Sequence, residues 1–363
     1  NPTPQHEKQY GGANMSPSQL AINTVRGKAL EAVIHYAIWI RSATEHGEGE
    51  AQPGSVGSPE AFRVLEDRLS PQVEPSPAVH SIFGVLLSAL VWLDPDWVRQ
   101  NRSRILPQDE ELADLREAVW DSYLAFNHLY LDTADILGEE YMFAARRLTD
   151  VRELDADAIH GPLGHLVEHI VSLYVWGVIG EDSPLLTGLY RCPSGAIRGH
   201  AAAHLGRAYD DPAEPPQDHL ERILALWGMR LDQLTASLDD EAIRELRAFG
   251  WVFQIAALDA DRSLALLIRT LELTSGTTDW DHGVVGRLAK VCTDYPEEAV
   301  HALDLMARRE GEVWTLFDIK REGEPILRTA MTCGVPVARE VAIRCINTLG
   351  RKGIDVFRPL LEL

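Results

Sequence analysis

Repeatedly along this chain a small cap-forming residue stands directly before a proline, as at Ser58-Pro59, Ser76-Pro77, Asp94-Pro95 and Ser183-Pro184. A side-chain oxygen that caps the first free amides, followed by a proline whose missing N–H costs nothing in the first turn, marks the start of a helix. Glu60 adds a carboxylate at the positive end of the first of these turns. Apolar residues then recur at three- and four-residue spacing, and the strict alternation of a half-buried strand is absent beyond a few residues. A chain that keeps restarting helices and never alternates is confined to an all-α fold.

The first strong stripe runs through Ile22, Val25, Ala29, Val33, Ala37 and Ile40, widened by Leu30, Ile34 and Ile38, and predicts one long helix. The Gly-, Glu- and Pro-rich run from His46 to Ser58 reads as a loop. Further helices are expected near Leu163–Ile179, Ala196–Tyr209, Asp218–Ala236, Glu241–Ile255, Ser263–Leu273, Val284–Cys292, Glu297–Arg309, Glu324–Cys333 and Val337–Leu349. Short helices joined by short polar turns suit stacked helical hairpins, because one hairpin cannot bury its apolar face alone. The expected architecture is therefore an irregular α-solenoid of the HEAT/TPR-like kind.

With 363 residues the chain exceeds what one compact core usually holds. The expected division is a polar tail over 1–19, an N-terminal helical array over 20–150 and a C-terminal array over 151–363. The polar run Leu148 to Ile159 is the candidate junction. An internal echo, Val25-Arg26-Gly27-Lys28-Ala29 against Ile197-Arg198-Gly199-His200-Ala201, suggests degenerate repeats whose glycines admit a close helix. The start at Asn1, without an initiator Met and in a polar Pro- and Gly-rich run to Met15, fits cleavage, a disordered terminus or excision from a longer polypeptide alike.

A formal charge of −21 argues against nucleic-acid backbone binding, which needs clustered cations to displace counterions. Arg99, Arg102 and Arg104 form a local basic cluster, best read as a solvated helix end. The apolar stretch Ile82–Leu93 is too short to cross a bilayer. No basic–apolar leader opens the chain, and four scattered cysteines suit a reducing compartment. A cytoplasmic location without membrane contact is the expectation.

Among chemical motifs the sharpest is His165-Leu166-Val167-Glu168-His169, an H-x-x-E-H pattern. Two histidines one turn apart can face one zinc ion while the glutamate activates water. Glu245 is the candidate third ligand, and His200 with His204 forms a second pair at the same spacing. The same helix carries Leu163, Leu166, Ile170, Leu173 and Tyr174, so an ordinary structural helix with one core-facing histidine is the favoured reading. The acidic groups Asp239-Asp240-Glu241 and Asp259 to Asp261 stand before helices, where carboxylates suit the helix dipole. There is no phosphate-binding G-x-x-x-x-G-K-[ST] loop and no G-x-S-x-G elbow. No catalytic residue and no cofactor is expected under the favoured reading.

The tryptophans Trp92, Trp97, Trp120, Trp176, Trp227 and Trp251 fall in helical patterns and default to packing. Within Phe249-Gly250-Trp251-Val252-Phe253, Trp251 and Phe253 are candidate partner anchors, and Arg198 is a third candidate. These segments, with Ile22–Ala32, Trp120–Asn127, Arg198-Gly199-His200-Ala201 and Leu246–Trp251, resemble the helical C-terminal regions of large bacterial multidomain proteins linked to phage defence, including STAND-type NTPases. The resemblance spans most of the chain from Leu20 onward. It implies a non-enzymatic sensor or scaffold that binds a protein partner, such as a phage protein or an effector domain of the same parent chain. A strongly acidic concave face would select a basic or mixed-charge partner. Zinc-dependent hydrolysis at His165, Glu168 and His169 is the alternative.

Overall fold

In the computed structural model, residues 15–45, 53–150, 159–210, 215–309 and 319–363 are described, and their regular structure is helical, with no strand among the described residues. The first set of helices is α1 (Pro17–Ile22), α2 (Val25–Glu45), α3 (Gly54–Gly57), α4 (Pro59–Arg68), α5 (Pro77–Val85), α6 (Leu87–Leu93), α7 (Pro95–Ile105), α8 (Ala113–Phe126), α9 (Leu131–Ile136) and α10 (Gly138–Arg147). The second set is α11 (Pro162–Val175), α12 (Pro184–Tyr190), α13 (Gly195–Ala208), α14 (Gln217–Thr235), α15 (Asp240–Arg247), α16 (Phe249–Phe253), α17 (Ala260–Leu273), α18 (Asp281–Val291), α19 (Pro296–Arg308), α20 (Glu324–Thr332) and α21 (Pro336–Arg351). Two compact units result: Asn1–Ala144 with Ala156–Leu166, and Ala145–Asp155 with Val167–Leu363. The chain passes between them across the stretch that holds the polar run Leu148–Ile159, of which 151–158 lie outside the described residues.

The proline-marked starts owe their position to local chemistry. Ser76 Oγ accepts the Val79 amide, Asp94 Oδ1 accepts the Trp97 amide at 2.9 Å, and Ser183 Oγ accepts the Leu185 amide. Ser58 behaves differently. Its hydroxyl donates to the Gly54 carbonyl at 2.9 Å, because the expected loop contains the short helix α3, which ends on it. Asp239 and Asp259 cap α15 and α17, accepting the Ala242 and Arg262 amides at 2.7 and 2.8 Å. The basic cluster is a helix end: Arg99 pairs with Asp96, Arg102 with Glu139, and Arg104 donates to the Glu66 carbonyl.

In the first unit the densest packing joins α5 to α8. Gly84 makes this contact possible, because a Cβ there would collide with the Val119 carbonyl and lie 3.0 Å from Ser122 Cβ. The long helix expected from Ile22 is interrupted at Asn23-Thr24, where Thr24 Oγ1 donates to the Ala21 carbonyl and accepts the Gly27 amide. That break resets the helical phase. The line buried against the unit is Thr24, Gly27, Leu30, Ile34 and Ala37, whereas Ile22, Val25 and Ala29 of the expected stripe face solvent.

In the second unit helices pack mainly on neighbours close in sequence: α13 on α15 and α16, α14 on α17, α16 on α18, α17 on α19, and α19 on α21. The stretch expected as one helix from Glu241 to Ile255 is two, α15 and α16, parted at Ala248. Gly199 of the echo lies under Ala248, where an added Cβ would stand 3.0 Å from the alanine methyl, so this glycine does admit a close helix. Its counterpart Gly27 instead abuts the Ala21 carbonyl of the preceding helix α1. No helix among the described residues is long and apolar enough to cross a membrane. The four cysteines are unpaired, with Cys192, Cys292 and Cys345 buried and Cys333 exposed.

Candidate functional site

The H-x-x-E-H residues lie on α11, where the apolar positions Leu166, Val167, Ile170 and Val171 are buried and His169 is buried beside them. His165 is half-buried one turn earlier. Glu168 turns toward α13. His200 Nε2 donates to its Oε1 at 3.0 Å, His204 Nδ1 stands 3.6 Å away and Arg207 Nη2 3.9 Å away. The second histidine pair is thus brought to the glutamate of the H-x-x-E-H motif, 32 residues from His200.

The proposed third zinc ligand sits elsewhere. Glu245 is wholly buried, with Arg198 Nε donating to Oε2 and Arg230 donating to Oε1 at 2.6 Å and to Oε2 at 3.1 Å. Both carboxylate oxygens are engaged by guanidinium groups, so Glu245 is not available to a metal at His165 and His169. Among the described residues no group of three or more His, Cys, Asp or Glu side chains is arranged to hold a metal ion.

The same network corrects the partner-binding assignment of Arg198. This side chain is buried and also donates to the Cys192 and Pro193 carbonyls, the latter at 2.9 Å. Arg230 lies over the Tyr190 ring at 4.2 Å, and burial pushes the Tyr190 hydroxyl well above its ordinary pKa, helped by the nearby Glu245 charge. Phe253 is likewise fully buried, under the guanidinium of Arg287 at 4.7 Å. Burial lowers the Arg287 pKa to about 10. Phe249 stacks on Trp227 at 5.5 Å, whose Nε1 donates to Thr270 Oγ1 at 3.0 Å. These residues hold helices together and present nothing to a partner.

Trp251 is the candidate that reaches the surface. It is half-exposed, stacked on Trp280 with ring centroids 4.0 Å apart and planes 15° apart, and covered by Arg207 at 5.7 Å. Arg207 in turn approaches Glu168. A continuous partly exposed strip therefore runs across four helices of the second unit: Glu168 on α11, His200, His204 and Arg207 on α13, Trp251 on α16, and Trp280 at the start of α18. Sequence spacing placed each residue on its own helix face. It carried no signal that these faces adjoin.

One hydroxyl adds a chemical question. Ser172 Oγ shares a 3.2 Å hydrogen bond with His204 Nε2, while Nδ1 of the same ring faces Glu168. This is the connectivity of a serine–histidine–carboxylate relay. Its parts are incomplete: 3.6 Å is beyond a hydrogen bond, and the Ser172 amide sits in the interior of α11, where backbone donors are spent on the helix. That amide is therefore not free to stabilise an oxyanion, and such electrostatic stabilisation is usually the largest catalytic contribution.

A cavity of about 580 Å³ opens elsewhere in the second unit, lined in part by Arg247, Arg308, Arg309 and the Ser275-Gly276 turn. Each arginine already faces a carboxylate, Asp279, Asp304 and Asp281 respectively, so its charge is internally balanced.

No family model, curated protein or solved structure gives a significant match to this chain.

Proposed function

We propose that the chain is a non-enzymatic recognition module, an irregular α-solenoid that binds a protein partner across the strip from Glu168 to Trp280. The supporting observation is the partly exposed, mutually stacked Trp251–Trp280 pair with Arg207 above it, flanked by Glu168 and two histidines. Aromatic and arginine side chains held rigid on helices are the groups that carry most binding energy at protein interfaces. A face built from successive helices is also what a stacked array offers a macromolecule. The chain's charge of −21 favours a basic or mixed-charge partner and an association rate that falls with salt. In line with the resemblance of its Arg-Gly and aromatic segments, the module is proposed to serve as the sensor portion of a larger bacterial cytoplasmic defence protein.

The test begins with a photo-crosslinking residue at position 207 and, as a control, at the exposed position 358 near the C-terminal end of the chain. A partner captured only from position 207 is then purified and titrated against Trp280→Ala, Arg207→Glu and Glu168→Gln. Each is expected to weaken binding by tenfold or more, on the scale of about 2 kcal/mol for an aromatic or arginine anchor. Unchanged affinity in all three would remove the strip from recognition. A fluorophosphonate probe that labels Ser172 would instead favour hydrolysis at the Ser172–His204–Glu168 relay, and no labelling is expected.

A further inference from the structure

The solvent face of α2 carries an apolar line of its own. Val25, Ala29, Ala32, Tyr36, Trp39 and Ala43 are all exposed, with Val25 at 76 %, Trp39 at 64 % and Tyr36 at 41 %. Their spacings are four, three, four, three and four, a heptad seam with period 3.5. The face buried in the first unit is a different line, Thr24, Gly27, Leu30, Ile34 and Ala37. A helix that is apolar on two opposite faces has one face more than its own unit covers. A 3.5-residue period is the one that keeps a seam against a second helix rather than against an irregular core.

The order of side-chain sizes identifies the second helix. The small residues Ala29 and Ala32 occupy the N-terminal half of the seam, and the large residues Tyr36 and Trp39 the C-terminal half. Two copies of α2 laid antiparallel about a two-fold at Ile34 pair Val25 with Ala43, Ala29 with Trp39, and Ala32 with Tyr36. Every layer then places a large side chain, or valine, against an alanine. The pairing also sets each first-position residue of the heptad against a fourth-position residue of the partner helix, as antiparallel geometry demands. A parallel pair would stack Trp39 on Trp39 and leave voids between alanines.

Charge agrees with this choice. Although the chain is strongly acidic, α2 carries three cations, Arg26, Lys28 and Arg41, and two carboxylates, Glu31 and Glu45, so the face is not self-repelling. Lys28 and Glu31 already pair on the same helix at 2.7 Å, and Arg26 pairs with Glu74 at 2.9 Å. The Tyr36 hydroxyl donates to Glu60 at 2.6 Å, which holds its ring beside Trp39. At about 1.5 Å per residue, 21 residues give roughly 30 Å of seam, three heptads long.

We propose that α2 is a self-association face, and that a second copy of this chain docks on it as an antiparallel two-helix coiled coil with two-fold symmetry. Such an interface is isologous, so each substitution acts twice per dimer. Sedimentation equilibrium of the purified protein is expected to show a reversible monomer–dimer equilibrium. Ala32→Glu, on an exposed position that leaves the buried line untouched, is expected to raise the dimer dissociation constant by roughly 100-fold, since it buries an unpaired charge twice. Circular dichroism of that variant checks that the unit stays folded. Orientation is read by a benzophenone amino acid at position 39: adducts between mixed isotopically light and heavy copies are expected at or beside Ala29. A protein that stays monomeric at several hundred micromolar overturns the proposal, as does a dimer that survives Ala32→Glu. Adducts confined within one copy, or formed with a different protein while the chain is monomeric, also overturn it.

Discussion

Glu245 gives the sharpest energetic prediction because it is wholly buried between two arginines whose own side chains are at most 8 % exposed. Replacing it with glutamine keeps the volume and one acceptor but leaves Arg198 and Arg230 as buried cations without a counter-charge. Removing one member of a buried ion group costs about 3–5 kcal/mol, because the remaining charge stays desolvated. For a unit of roughly 200 residues, each kcal/mol lowers Tm by about 2–4 °C, so Glu245→Gln is expected to lower it by roughly 6–20 °C. Some of that loss is tempered by the Cys192 and Pro193 carbonyls, which still accept from Arg198. The matched control replaces all three residues by apolar ones, Arg198→Met, Glu245→Leu and Arg230→Met. Its stability is expected near that of the parent, since an ion group of this kind contributes little net energy over well-packed apolar side chains. Urea unfolding followed by tryptophan fluorescence reads both, with Trp227 in the same core as reporter. A Glu245→Gln loss under 1 kcal/mol, or a triple variant as unstable as the single one, would refute the reasoning.

Other consequences are testable in the same preparations. Gly84→Ala is expected to destabilise the first unit by about 1–3 kcal/mol in urea unfolding, since its methyl group meets the Val119 carbonyl and α5 must shift off α8. His80 is buried, donates from Nε2 to the Glu74 carbonyl at 2.8 Å, and has its pKa lowered from the ordinary 6.5, chiefly by burial. The folded state therefore favours the neutral ring: its contribution is complete above pH 6.5 and is lost as pH falls through the lowered folded value. The slope reaches at most about 1.4 kcal/mol per pH unit, and a His80→Gln variant is expected to lack this component of acid unfolding. Exposed Cys333 is expected to react with a thiol reagent in the native state, whereas Cys345, buried and with its thiol pKa pushed far up, reacts only on unfolding. Metal analysis of purified protein is expected to find no stoichiometric zinc; zinc lost on both His165→Ala and His169→Ala would revive the hydrolase reading.

The residues differ in how far local sequence could place them. Ser76, Asp94, Ser183, Asp239 and Asp259 cap helices as their neighbours dictate, because a cap is settled within three residues. The breaks at Thr24 and Ala248 were hidden inside unbroken apolar periodicity. Thr24 ends one helix through two hydrogen bonds of its own hydroxyl, and Ala248 is where α15 gives way to α16, both packed on α13, with α16 packed on α18 as well. For the candidate site, spacing showed which histidines share a helix face but not that His200 and His204 meet Glu168. Arg198 read as an exposed anchor because its neutralising carboxylate lies 47 residues away.

Sequence alone determined that the chain is helical and where many of its helices begin, since capping, proline and periodicity act over one or two turns. Tertiary structure alone decided which apolar face turns inward and which polar groups are spent. A helix such as α2 can be apolar on both sides, and burial depends on what packs against it. The Arg198–Glu245–Arg230 network and the Trp251–Trp280 stack exist only where distant helices meet, and no local rule encodes that meeting.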